Sequence, residues 1–137
     1  MLSNRGEYQQ LYSGRKFYAL DPKPEDLSFV DIVQSLPHVN RFGGHSVRPY
    51  SVAQHSINVA RISGDLAKKK SDNSVYIRGV ALAGLLHDAG EAMIGDFVTP
   101  VKKQVPQYLE IENKILDVIF KKFGVIYKAE NLPEEVK

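Results

Sequence analysis

Three stretches of the chain repeat apolar residues at spacings of three and four, a period that commits them to amphipathic helices. From Ser51 onward, Val52, His55, Val59, Ile62 and Leu66 mark one stripe of a first long helix. Asp72, Asn73 and Ser74 form a turn suited to capping a second helix, in which Ile77, Val80, Ala81, Gly84 and His87 or Asp88 keep the spacing. A third begins at Pro106, well placed for a first turn, and ends at Gly124. Ile111, Ile115, Ile119 and Phe123 line its face, and Leu116 and Phe120 widen it. Glu110–Lys114 and Asp117–Lys121 are four-residue charge pairs on this helix, with Asp117 expected to face solvent. No stretch sustains the alternation of a strand. The expected fold class is all-α.

Ahead of Ser51 the pattern is weaker. Residues 1–26 read as irregular, because Gly6, Gly14 and the "DPKP" of Asp21 to Pro24 are breakers. Asp26 is expected to cap a short helix, "LSFVDIVQSL", that stops before Pro37. The loop "HVNRFGGHSVRPY" follows, and further on Pro100 and Pro106 bracket a short connection. A length of 137 residues suits one domain with one core, residues 1–50 forming an irregular front wall and residues 51–137 the helical core. A net charge of +2, with scattered basic residues, argues against a nucleic-acid polymer as partner. The longest small or apolar run, Gly79 to Leu86, is far short of a membrane span, and the first twenty residues contain no secretory apolar segment. A cytoplasmic location is expected.

The segment "GLLHDAGEAMIGD", Gly84 to Asp96, breaks the ordinary rule for helix ends. Apolar helices close on glycine or a basic residue, whereas this one runs into His87, Asp88, Glu91 and Asp96. An aspartate at a buried helix end is costly unless paired or bound to a cation. Antiparallel packing would bring His55 and His87 to one interior, where a divalent metal would satisfy His55, His87 and Asp88 together. With no cysteine, any metal must be held by nitrogen and oxygen, a donor set that suits manganese, iron, cobalt, nickel or zinc. On spacing alone, metal ligation and two packed core histidines stand level.

"SVAQHS" at Ser51 to Ser56 and "LLHDAGEAMIGDFVTPVKK" at Leu85 to Lys103 resemble the HD-domain metal-dependent phosphohydrolases. The nearest branch holds the bacterial 5′-deoxynucleotidases and viral dATP triphosphohydrolases; "GRKFYALDPKPED" and "HVNRFGGHSVRPYSVAQHS" are similar to it too, so the likeness runs from about Gly14 to Lys103. The resemblance implies an HD-domain helical bundle, with His55, His87 and Asp88 as ligands of one divalent metal ion. It implies that Glu91 orients or deprotonates the attacking water, that Asp96 contacts the substrate's sugar hydroxyl, and that Arg41 binds phosphate beside an aromatic Phe42. Chemistry supports each role: bound metal acidifies water, a nearby carboxylate takes a proton, and a guanidinium forks onto two phosphate oxygens. His45, Arg48 and Lys102 are further candidates for the anionic tail.

The resemblance also implies a fourth ligand, an aspartate following a segment like "LPEEVK". No aspartate occurs after Asp117, so the chain is expected to stop a few residues short of that ligand, leaving Glu134, Glu135 or water to substitute. Weaker metal binding and self-association through uncovered core, with a homo-oligomer as one outcome, would follow. The expected activity is release of phosphate or triphosphate from deoxynucleoside 5′-phosphates by metal-activated water. The alternatives are another HD-type reaction, on a signalling nucleotide or cyclic phosphodiester, and a nucleotide-binding module of little catalytic power.

Overall fold

The computed structural model describes residues 4–137. Two helices form its centre. Helix α2, Val52–Lys70, starts where Ser51 Oγ accepts the Gln54 N–H at 3.1 Å, and α3, Ser74–Leu86, starts where Asn73 Oδ1 accepts the N–H groups of Val75 and Tyr76. A short turn joins them, and they pack antiparallel.

Their interface is made of small residues. Ser56, Ser63, Gly64 and Ala67 are the buried positions of α2 below Val52, and Ala83 and Gly84 meet them from α3. A Cβ on Gly84 would lie 2.9 Å from Ser63 Oγ and 3.2 Å from the Val59 carbonyl, so only glycine permits this approach. The stripe expected from hydropathy is therefore displaced: Ile62 and Leu66 are 58% and 39% exposed, and Val59 is half-buried. Close backbone contact selects for size ahead of apolarity.

Helix α6, Pro106–Phe123, buries Ile115, Leu116, Ile119 and Phe120, and ends at Gly124, whose φ of 80° is left-handed. Asp117 does not face solvent towards Lys121; its Oδ1 accepts the Ala129 N–H at 2.7 Å and pins the chain beyond the helix. Between α3 and α6 run two single-turn helices, α4 (Glu91–Ile94) and α5 (Thr99–Lys102), with Pro100 in the first turn of α5.

The N-terminal part carries more structure than its breakers suggest. Strands β1 (Gln9–Gln10) and β2 (Lys16–Phe17) pair antiparallel around Gly14, too short to show alternation. Helix α1, Phe29–Ser35, begins after Ser28. Asp26 does not cap it: Asp26 sits in a 3-10 turn, where Arg5 binds it and also reaches Asp21 at 2.9 Å. Leu11, Phe17, Leu27 and Ile32 join Val52, Ala83, Met93, Ile115 and Phe120 in one core, and Ser35 Oγ donates to the Ala92 carbonyl, tying α1 to α4. No helix of the described residues is long and apolar enough to cross a membrane.

Candidate metal centre

The antiparallel pairing sets the first turn of α2 beside the last turn of α3, and so His55 beside His87. Their ring centroids are 5.3 Å apart. Asp88 Oδ2 lies 3.0 Å from His87 Nε2 and 3.3 Å from His55 Nε2. One donor atom from each of the three residues falls within 4.8 Å of the others. The His87 Nδ1 is 2.6 Å from the Gly84 carbonyl; donation there orients the ring and turns Nε2 inward, towards Asp88. Two imidazole nitrogens and a carboxylate oxygen suit a divalent cation of the manganese-to-zinc series, so the group could hold one.

Charge around the cluster is unevenly distributed. Burial alone would raise the Asp88 carboxyl, but hydrogen bonds from His55 and His87 outweigh it and hold the group well below the usual carboxylate range. Burial works against a charged His87, yet the Asp88 carboxylate leaves its pKa raised. Glu91, 4% exposed, lies just past the turn, its N–H bonded to the Asp88 carbonyl. Burial first, then the charges of Asp88 and Asp96, push its carboxyl up to about 9, with Lys102 opposing.

Arg41, Phe42 and Asp96 come together with Phe97, Val98, Thr99 and Pro100 to line a cleft of about 270 Å³. The loop carrying Arg41 is pinned at its base, Arg41 N–H to the Tyr50 carbonyl and Val52 N–H to the Val39 carbonyl, both at 2.8 Å. The Arg41 guanidinium lies 4.8 Å from the Phe42 ring centroid and 5.7 Å from that of Tyr50. Phe42 takes a left-handed φ of 58°, rare for an aromatic residue and a form of strain that gathers at binding sites.

Other candidates lie elsewhere. His45 and Arg48 are exposed and do not line this cleft. Lys102 is turned inward, its Nζ 3.3 Å from Glu112 and 3.8 Å from Glu91, so its charge is engaged within the protein. Glu135 joins no metal group: its carboxylate takes the Tyr76 hydroxyl at 2.7 Å and Lys70 at 2.9 Å, at the far end of α2 from His55. Glu134 pairs with Lys137. Three residues beside the site escaped the sequence reading. Tyr50 sets its ring edge-on to His55, while Glu112 and Tyr108 face the site from α6, one helical turn apart. That four-residue step on α6 was the available signal, but nothing in sequence says which helix face meets α5.

An all-α bundle carrying a histidine–histidine–aspartate group at adjoining helix ends belongs to the HD-domain class. A family model described as 5′-deoxynucleotidase YfbR-like matches residues 28–128, and the chain belongs to that family. An uncharacterized protein of Rhodobacter capsulatus is 34% identical over 121 residues, which cover 86% of this chain and 59% of that protein. The Escherichia coli protein YfdR is 34% identical over 114 residues, covering 83% and 57%. A protein of Photorhabdus laumondii named 5′-deoxynucleotidase is 34% identical over 95 residues, covering 67% and 46%. The chain thus spans about half to three fifths of the length of these relatives.

Proposed function

We propose that this chain carries the site of a metal-dependent phosphohydrolase that acts on deoxynucleoside 5′-phosphates, releasing phosphate or triphosphate. The observation that carries this reading is the convergence of His55, His87 and Asp88 with the buried Glu91 just past the same turn. The chemistry supplied by a divalent cation held there is acidification of water and neutralisation of phosphate charge. Glu91 takes a proton from the water that attacks phosphorus, and as the bond from phosphorus to the departing oxygen breaks, that oxygen takes a proton from the now protonated Glu91 or from solvent. A base must be ionised. Burial first, and then the charges of Asp88, Asp96 and Glu112, hold the Glu91 proton on, and a cation beside Asp88 would offset one of those charges and favour the ionised form. Arg41 forks onto phosphate oxygens at the cleft, Phe42 covers the nucleoside, and Asp96 accepts a hydroxyl of the sugar. Lys102, held between Glu91 and Glu112, opposes the rise in the Glu91 pKa and so favours its ionised form.

The test is to load the purified protein with cobalt or manganese and incubate it with deoxy- and ribonucleoside mono- and triphosphates. Phosphate or triphosphate should be released from the deoxy forms. Glu91→Gln should keep its metal and lose about a hundredfold or more in kcat. No release from any nucleotide by the metal-loaded protein would overturn the reading.

A further inference from the structure

We infer that Tyr108 is a positioning residue that fixes Asp96 and thereby sets the preference between 2′-deoxy and ribo sugars; the inference rests on the reading that Asp96 meets the substrate's sugar. Asp96 lies on the short connection between α4 and α5, directly after Gly95. Gly95, at φ 81° and ψ 179°, ends α4 in a conformation L side chains rarely adopt. Glycine has wide conformational freedom, so this joint does not by itself fix the direction in which Asp96 leaves it. Tyr108 removes that freedom on both sides. Its hydroxyl donates to the Gly95 carbonyl at 3.0 Å, and its ring stacks on Phe97 with centroids 4.2 Å apart and planes 3° from parallel. One side chain from α6 therefore grips the residue before Asp96 and the residue after it.

Two further observations favour a role at the site over plain packing. Neither Tyr108 nor Phe97 belongs to the hydrophobic core, and Phe97 is an exposed residue lining the cleft. Lys102 lies 5.7 Å over the Tyr108 ring and is tied to Glu112, one turn along the same face of α6. The face of α6 that backs the site thus holds the Asp96 connection and the Lys102 ammonium together. Hydrogen bonds weaken steeply with misplacement, so a carboxylate can tell one sugar from the other only while its position is fixed. An acceptor gains nothing from a missing hydroxyl. Asp96 therefore favours the deoxy form by holding a hydroxyl that both sugars carry, thereby fixing the 2′ position where an added oxygen is crowded. Loosening Asp96 erodes that difference of two affinities before it abolishes binding.

The two grips separate by mutation. Tyr108→Phe keeps the ring on Phe97 and removes the bond to Gly95, whereas Tyr108→Leu removes both. kcat/KM for 2′-deoxyadenosine 5′-monophosphate and for adenosine 5′-monophosphate is measured for wild type and both variants, each alone and with Asp96→Asn. Dissociation constants for the same two nucleotides, by calorimetry in chelator, and thermal unfolding accompany them. Tyr108→Phe should lower the deoxy preference about threefold and Tyr108→Leu about tenfold, the worth of one to two weak interactions. Neither change should alter the preference further once Asp96 is Asn. An unchanged preference, with both sugars slowed equally or only the unfolding temperature lowered, makes Tyr108 purely structural and overturns the inference. A loss that persists in the Asp96→Asn background overturns it too. If Tyr108→Leu fails to fold, Tyr108→Phe carries the test. Should wild type release no phosphate, the hydrolase reading fails, and the binding constants decide here: equal affinities for the two nucleotides overturn the role of Tyr108, and a preference lost in Tyr108→Phe upholds it.

Discussion

Glu91 is the residue whose environment is most at odds with its chemistry. Among the described residues the one cation within 4 Å of its carboxylate is Lys102, at 3.8 Å, and that ammonium is shared with Glu112. Burial and the neighbouring carboxylates raise Glu91 from 4.5 to about 9. A raised pKa means that the folded state holds a proton the unfolded chain has already released. The resulting stability is present below about pH 4.5 and drains away as pH climbs towards 9. Glu91→Gln locks in the neutral form. In chelator, urea unfolding should therefore find wild type and variant alike near pH 4.5, with the variant ahead by up to roughly 1.4 kcal/mol per pH unit above it. A difference that stays constant with pH would show that ionisation of Glu91 is not the source. The carboxylate was legible in sequence as one of a cluster around His87. Its partner was not, because in sequence Lys102 is a candidate for the anionic tail of a nucleotide, and its contact with Glu112 comes from another helix.

At the scale of elements, the α2–α3 pair decides whether the metal group can exist. His55 and His87 meet because the helices approach closely enough for Gly84 to touch the backbone of α2. Gly84→Ala places a methyl against Ser63 Oγ, the Val59 carbonyl and the Ala60 Cα, at 2.9, 3.2 and 3.3 Å. Since backbone cannot yield as a side chain can, the helices should part, at a cost of about 1–3 kcal/mol. Metal affinity should fall with it, because the two histidines ride on the separating elements. Gly79→Ala in the same helix is the matched opposite: its Cβ meets nothing within 4 Å, and it should stabilise by about 0.5–1 kcal/mol through helix propensity. Chemical denaturation and titration with cobalt would check both variants, and equal effects at the two glycines would contradict the close-packing account. The helices themselves were readable from period and caps, since Ser51, Asn73, Pro106 and Gly124 all sit at the ends they signal. The buried face of α2 was not. A hydropathy stripe ranks Ile62 and Leu66 above Ser63 and Gly64, while the fold ranks them by volume.

At the scale of the whole molecule, the same helix pair is clamped at its opposite end by the last residues of the chain. The Glu135 carboxylate binds Tyr76 in the first turn of α3 and Lys70 in the last turn of α2, and its carbonyl accepts from Ser63 Oγ at 3.2 Å. The hydrogen bonds from Tyr76 and Lys70 hold the Glu135 carboxyl at about 2, below its ordinary 4.5. The sign is the reverse of that at Glu91: this stability is full above about pH 4.5 and is lost as pH falls towards 2. Glu135→Gln keeps an acceptor for Tyr76 and loses the charge facing Lys70, whose own side chain is largely exposed, so the cost near pH 7 should be only about 1 kcal/mol. The two substitutions make a discriminating pair. In chelator, Glu91→Gln should gain on wild type as pH rises, while Glu135→Gln should trail at neutral pH and draw level in acid. Opposite slopes from two chemically identical changes can arise only if each carboxylate is set by its own surroundings. Parallel slopes in pH-dependent urea unfolding would instead point to one global titration, and would refute the separate clamps assigned to the two ends of the helix pair.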